Sequence, residues 1–251
     1  MIYITGDCHG NFERFSKSIF PEQEEMTKDD YVIICGDFGG VWHKDTESNE
    51  ETMILDWLDC KPFTTLFVDG NHENFDRLYQ YPVEEWHGGK VHKVRPSVYH
   101  LMRGQIFEID GKSIYAFGGA RSHDIDGGIL ELDDPKFKEK RRKLDQGWQP
   151  YRINHLSWWK EEMPSVEEMV IGHENLERHD CTVDFIVSHC CASSTQALLS
   201  QGMYKPDALT NYFEELRQSM WFKKWFFGHY HDNKNVTDKE ILLYEQIIRI
   251  S

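Results

Sequence analysis

Five short apolar runs in this chain each end abruptly in residues of metal-ligand type. Ile2-Tyr3-Ile4-Thr5 leads into Gly6-Asp7-Cys8-His9, and Tyr31-Val32-Ile33-Ile34-Cys35 into Gly36-Asp37. Thr65-Leu66-Phe67-Val68 is followed by Asp69-Gly70-Asn71-His72-Glu73. Asp184-Phe185-Ile186-Val187 leads into Ser188-His189, and Trp225-Phe226-Phe227 into Gly228-His229-Tyr230-His231. Short β-rich apolar runs bounded by glycine read as buried strands. Ligands of open α/β sheets bind at the carboxyl ends of the strands. The pattern therefore predicts one site, assembled from five strand ends at a sheet edge and rich in Asp, Asn and His, which is the makeup of a metal centre.

The chain around these runs is that of a globular α/β protein. Its 251 residues suffice for one domain with a sizeable core, and 39% are apolar. We expect a single domain over 1–251 with an irregular insertion or lid at about 121–163. After the Asp7 block, Phe12, Phe15 and Ile19 have helical spacing. After the Asp37 block, Ser48 with Glu51 forms a capping-box pattern, and Met53, Ile54, Trp57 and Leu58 supply an apolar face. Phe75, Leu78 and Tyr79 continue as a short helix, so the first half reads as βα units with a parallel sheet. Residues 91–118 read as consecutive strands, with Asp110-Gly111 as a hairpin turn. Ser165 with Glu168 caps a helix reaching about His179. A helix near 206–219 and closing strands near 234–237 and 240–250 complete the reading.

Charge and cysteine content narrow the partners. The net charge of −15, from 28 Lys and Arg against 43 Asp and Glu, disfavours nonspecific binding to phosphate backbones or anionic membranes. Nucleic acid is accordingly an unlikely partner on this reading, and a small phosphorylated substrate the expected one. No apolar stretch approaches the roughly 20 residues that span a bilayer. No secretory signal is recognisable, and none of the six cysteines forms a CxxC pair. A reduced, cytoplasmic protein is the expectation. Thiolate ligation by Cys190 or Cys191 is disfavoured, because the other ligand candidates are hard or imidazole types.

A pair of divalent ions about 3.5–4 Å apart can clamp the attacking and leaving oxygens of a phosphoryl transfer. Such a pair needs a shared carboxylate and terminal ligands on both sides. Asp7 and His9 share a face of an extended chain, as do His229 and His231. Asp37 stands alone after its strand and is the natural bridge. Asn71 offers an amide oxygen and His189 another imidazole. Mixed Asp/Asn/His ligation suits manganese, iron or zinc better than calcium.

The ordered set Asp-x-His, Gly-Asp, Gly-Asn-His-Glu, His, Gly-His-x-His resembles that of the calcineurin-like metallophosphoesterases. All five blocks are present, from Asp7 to His231. The resemblance implies a four-layer α/β/β/α sandwich with mixed sheets. It also implies two divalent or trivalent ions, manganese or iron with zinc as a further option. One ion would be held by Asp7, His9, Asp37 and His231, the other by Asp37, Asn71, His189 and His229. His72 would assist the leaving group while a metal-bridging hydroxide attacks phosphorus. The implied activity is hydrolysis of a small phosphomonoester or phosphodiester. A nuclease or cyclic-nucleotide phosphodiesterase is the alternative, and a non-catalytic metal-binding scaffold an alternative of another class. A Ser/Thr protein phosphatase fits less well. In the segment Gly36-Asp37-Phe38-Gly39-Gly40-Val41, Gly40 stands where such enzymes carry the Asp that orients the histidine, and their following Arg is missing.

The insertion contributes further candidates. Arg121 and His123 follow a Gly-Gly pair and are candidate substrate-binding residues, with a structural salt bridge as the plainer role for the arginine. Trp158 and Trp159 read more simply as packing than as a lid, and Lys140 to Lys143 as a solvated face.

Overall fold

The chain is described here by a computed structural model covering residues 1–251. One sheet has seven strands: β1 (Ile2–Thr5), β2 (Tyr31–Ile34), β3 (Thr64–Phe67), β4 (Val83–Trp86), β5 (Gly89–Arg95), β6 (Val98–Leu101) and β15 (Ile247–Arg249). A second has six: β7 (Gln105–Ile109), β8 (Lys112–Phe117), β11 (Thr182–Ser188), β12 (Trp221–Phe227), β13 (Lys234–Asn235) and β14 (Glu240–Leu242). A two-stranded patch, β9 (Ile129–Leu130) with β10 (Arg152–Ile153), lies in the insertion. The helices are α1 (Asn49–Asp59), α2 (Phe75–Leu78), α3 (Phe137–Gln146), α4 (Val166–Arg178), α5 (Ser193–Ser200) and α6 (Ala208–Ser219).

Strand alternation builds the layers. Ile2 and Ile4 of β1 and Ile33 of β2 pack against Ile114, Phe185 and Phe226 of the other sheet. The intervening Tyr3, Val32 and Ile34 face outward onto Leu55 and Leu58 of α1. On the far side, Tyr115, Ile186 and Trp225 pack under Leu176 of α4 and Phe213 of α6. Successive side chains of a strand point to opposite faces, so each central strand serves two cores. That explains apolar runs with no polar alternation. The result is the expected α/β/β/α sandwich with mixed sheets.

The central pairings β1–β2, β2–β3 and β3–β6 are parallel, as are β8–β11 and β11–β12. The five ligand-bearing strand ends therefore point the same way within their sheets. They do not belong to one sheet, however. β1, β2 and β3 lie in the first and β11 and β12 in the second, so the site forms where two sheet edges meet.

Local readings fared unevenly. Both capping boxes are present, Ser48 with Glu51 and Ser165 with Glu168. The turn at Asp110-Gly111 has positive φ at both residues, as a two-residue hairpin requires. The helix expected after the Asp7 block is only a 3₁₀ turn at Glu13–Phe15. Its i, i+3 spacing seats Phe12 and Phe15 in the core, while Ile19 points to solvent. α1 is turned from the expected face: Glu51, Leu55 and Leu58 are buried, and Met53 and Trp57 are exposed. The last expected strand is two, β14 in one sheet and β15 in the other. Helix α5, after the His189 strand, has no counterpart in the sequence reading. In the insertion, α3 buries no residue, as its charge run implies. Trp159 is fully packed and its Nε1 donates to Asp76 at 2.7 Å. No helix is long and apolar enough to cross a membrane.

Candidate metal centre

The loops leaving β1, β2, β11 and β12 converge on two buried carboxylates. Four residues of these loops have left-handed backbone: His9 (φ 48°), Asp37 (φ 43°), His229 (φ 71°) and His231 (φ 48°). Such conformations are uncommon for residues with a Cβ and concentrate at functional sites. Neighbouring glycines make the close approach possible. A Cβ on Gly228 would fall on Asp7 Oδ1, and one on Gly70 would fall on Asp37 Oδ1. The backbone N–H of His229 donates to both oxygens of Asp7 at 3.0 Å. That of His72 donates to Asp37 Oδ1 at 2.8 Å.

Asp7, His9, Asp37 and His231 form one cluster, their ligand atoms all within 4.8 Å of one another. His9 Nε2 and His231 Nε2 are 3.1 Å apart. This is about the separation of two imidazole nitrogens bound at right angles to one ion, given metal–nitrogen bonds of about 2.0–2.1 Å. The second set lies on the other side of Asp37. His189 Nε2 is 3.4 Å from Asp37 Oδ1 and 3.2 Å from Asn71 Oδ1. The His229 ring is 4.9 Å from that of His189. His189 is oriented by a hydrogen bond between Nδ1 and the Cys35 carbonyl at 2.8 Å, and Asn71 by its Nδ2 donating to Ser122 Oγ at 3.4 Å. The donor set, two carboxylates with an amide oxygen and four imidazoles, is of a type that suits transition-metal cations.

Electrostatics agree with that fit. Burial would push the Asp37 carboxyl up, but the imidazoles of His189, His72 and His9 outweigh it and hold it well below the usual range. Burial would lower His189, yet Asp37 and Asp7 raise it, so the two form a charge pair. Burial lowers His9, His72 and, most strongly, His229, where His189 adds to the effect. His231 is raised by its contact with Asp7. His9 and His229 thus hold their lone pairs ready for a cation, and the His72 ring is likewise kept uncharged.

His72 lies at the rim. Its ring is 5.1 Å from that of His9 and 6.2 Å from that of Trp42. A cavity of about 330 Å³ opens here, lined by His9, Gly10, Gly39, Trp42, Ile54 and His72 among others. The two candidates from the insertion part company. His123 Nε2 is 3.0 Å from His229 Nε2, and its ring stacks on Tyr204 at 4.8 Å. Arg121 is exposed and makes no ion pair within the protein.

Several supporting residues escaped the sequence reading because their partners are distant in the chain. Glu73 is fully buried and accepts the Phe38 N–H at 2.6 Å, bracing the Asp37 loop. Asp69 is buried against Arg103 and against His100 at 3.0 Å. Ser122 Oγ donates to Glu162 Oε2 at 2.6 Å, tying Asn71 to the insertion. Arg14 donates to the carbonyls of Asp7 at 2.7 Å and Tyr244 at 2.5 Å. The only local signal among these was the Glu of Gly-Asn-His-Glu.

Comparison with known proteins adds a family and a set of relatives. Residues 1–233 match the family model described as calcineurin-like phosphoesterase. Lariat debranching enzyme A of Xenopus laevis is 28% identical over 149 residues, covering 52% of this chain and 26% of that protein. The lariat debranching enzyme of Danio rerio is 27% identical over 150 residues, covering 52% and 24%. That of Homo sapiens is 25% identical over 143 residues, covering 52% and 25%. The matched part thus spans about a quarter of the length of these relatives.

These relatives overturn the expectation that nucleic acid is an unlikely partner, since enzymes named for debranching lariats act on nucleic acid. The physical reason is that net charge sums over the whole surface, while a phosphate chain meets only the site. Cations held by the clustered carboxylates and imidazoles would offset the negative charge there. The family and the clustered His/Asp site support metal-dependent phosphoester hydrolysis in general. The chain belongs to the calcineurin-like phosphoesterases.

Proposed function

We propose that this protein is a two-metal phosphodiesterase of nuclease type that cleaves a phosphodiester in nucleic acid. The carrying observation is the pair of buried carboxylates ringed by ligand atoms in a chain whose relatives are lariat debranching enzymes. In this reading Asp7, His9, Asp37 and His231 hold one ion, and Asp37, Asn71, His189 and His229 hold the other. Manganese or iron suits the mixed oxygen and imidazole donors, and zinc is compatible. When bound, the ions supply Lewis acidity and an activated water for attack on phosphorus.

The protein's own groups do the rest. Asp37 fixes the spacing of the two halves, with one oxygen held by the His72 N–H. The neutral His72 ring, at the rim of the cavity, hydrogen-bonds the leaving oxygen as the P–O bond breaks. The cavity beside Trp42 receives the group on one side of that bond, where an indole offers a stacking surface to a base.

The test loads purified protein with Mn²⁺ and offers p-nitrophenyl phosphate, its bis-ester, and linear and branched RNA. Cleavage of the diesters at rates well above the monoester is expected. A protein with two bound metals that leaves every diester intact would sink the reading.

A further inference from the structure

The insertion brings a charged pair to the edge of the site. His123 touches His229, and the next residue, Asp124, grips Arg152 of β10. Nε of Arg152 donates to Oδ1 at 3.0 Å and Nη2 donates to Oδ2. The backbone beneath Arg152 is fixed by pairing with Ile129 of β9. A guanidinium carries five N–H donors in a planar fork. Asp124 engages the Nε edge, and Nη1 donates to no protein acceptor. One whole edge of the fork remains free.

The pair stands at the edge of the candidate metal centre. His123, next to Asp124, has its Nε2 3.0 Å from His229 Nε2, and Ser122, two residues before Asp124, accepts the Asn71 amide at 3.4 Å.

We propose that Arg152, held in plane by Asp124, binds the non-bridging oxygens of the substrate phosphodiester at the edge of the candidate metal centre, beside the His123–His229 contact. This rests on the phosphodiesterase reading above. A guanidinium edge matches two phosphate oxygens in a bidentate contact that a lysine cannot reproduce. Asp124 supplies the orientation. With its carboxylate on one edge, the free edge is presented in a set direction and little side-chain freedom is lost on binding. Arg121 is the other cation of this loop, but it is exposed and unpaired, so ordering it on a substrate costs more. The arginine that protein phosphatases carry after the bridging Asp is absent here. The insertion supplies a guanidinium from an unrelated part of the chain.

The competing role for Arg152 is a salt bridge that only fastens the insertion. The 251-residue protein loaded with Mn²⁺ separates the two, using Arg152→Ala, Arg152→Lys, Asp124→Asn and Arg121→Ala. Four quantities are read: bound metal per chain, KM and kcat for bis-p-nitrophenyl phosphate, and the Kd of inorganic phosphate by calorimetry. Arg152→Ala should keep both metals and weaken phosphate binding and KM by about tenfold or more, the scale of a lost charged contact. Arg152→Lys should recover only part, and Asp124→Asn should raise KM several-fold with kcat little changed. Unchanged phosphate Kd in Arg152→Ala overturns the proposal, as does a loss seen in Arg121→Ala and not in Arg152→Ala. Phosphate affinity needs no turnover. Wild type that binds phosphate but cleaves no diester would therefore remove the phosphodiesterase reading, while the Arg152 variants would still decide the anion contact.

Discussion

His189 sits with Nδ1 2.8 Å from the carbonyl of Cys35, so its Nε2 is left facing Asp37 and Asn71. A ring nitrogen committed to a carbonyl keeps its proton, so Nε2 is the nitrogen that would give up its proton to a cation and ligate it. The residue that follows β2 thereby chooses the ligating nitrogen of a residue that leaves β11, across the junction of the two sheets. His189→Ala should lower metal content from two ions to one, because the cluster of Asp7, His9, Asp37 and His231 stays intact. Asp37→Asn should prevent loading of the pair. Metal stoichiometry of the purified variants checks both.

His72 contributes its backbone N–H to Asp37, but its ring makes no hydrogen bond to another side chain. Replacing the ring should therefore leave the metals in place. For His72→Ala we expect full metal content and a kcat lowered by about 10²–10³, the scale of losing one hydrogen-bond donor to a developing oxyanion. Loss of metal instead would assign the residue to ligation.

Asn71 is aimed by Ser122, which is itself held by the buried Glu162. Ser122→Ala removes the acceptor for the Asn71 amide without touching a ligand. Affinity for one ion should fall by about 10–100-fold, as when an outer partner of a ligand is lost. The other ion should bind as before. Competition with a chelator at graded metal concentration resolves the two.

Gly228 and Gly70 need their missing Cβ for space, since each lies against a buried carboxylate. Gly228→Ala should displace Asp7, and Gly70→Ala should displace Asp37. A stability cost of about 1–3 kcal/mol is expected from the overpacking, together with reduced metal content. Circular dichroism with metal analysis tests this. A variant with wild-type loading would contradict the close approach.

Glu51 carries the pH dependence. Burial would raise its carboxyl, but the N–H groups of Trp42, His43 and Ser48 together with Arg77 outweigh burial and hold it below its ordinary value of 4.5. A depressed folded value means the stabilisation is complete above about pH 4.5 and disappears as pH falls through the lower folded value. Glu51→Gln should flatten the acid limb of a stability-against-pH curve below pH 4.5. Arg77→Ala leaves a buried carboxylate unpaired and should cost about 3–5 kcal/mol at neutral pH. Denaturant unfolding across pH gives both results.

Much of the site could be read without coordinates. Strands β1, β2, β3, β11 and β12 declare themselves as apolar runs, and each is followed by residues whose donors suit a cation. The capping boxes at Ser48 and Ser165 are local chemistry and were equally legible. The facing of α1 was not. Met53 and Trp57 look like core residues, yet the helix turns Glu51 inward because Arg77 and three backbone N–H groups wait there. The sheet to which a strand belongs was also hidden. A run buried on both faces has no polar alternation to mark which neighbour it meets.

The amino-acid order by itself determined the donor chemistry of the site and the layered class of fold. Both follow from short-range patterns: which residue types end a buried run, and how apolar residues are spaced. Tertiary structure decided that two sheet edges join to close the site and that Cys35 chooses the ligating nitrogen of His189. It also decided that Asp124 and Arg152, 28 residues apart, stand together next to the contact between His123 and His229. Those relations depend on packing between segments distant in the chain, and no periodicity or spacing along the sequence encodes a distance through space.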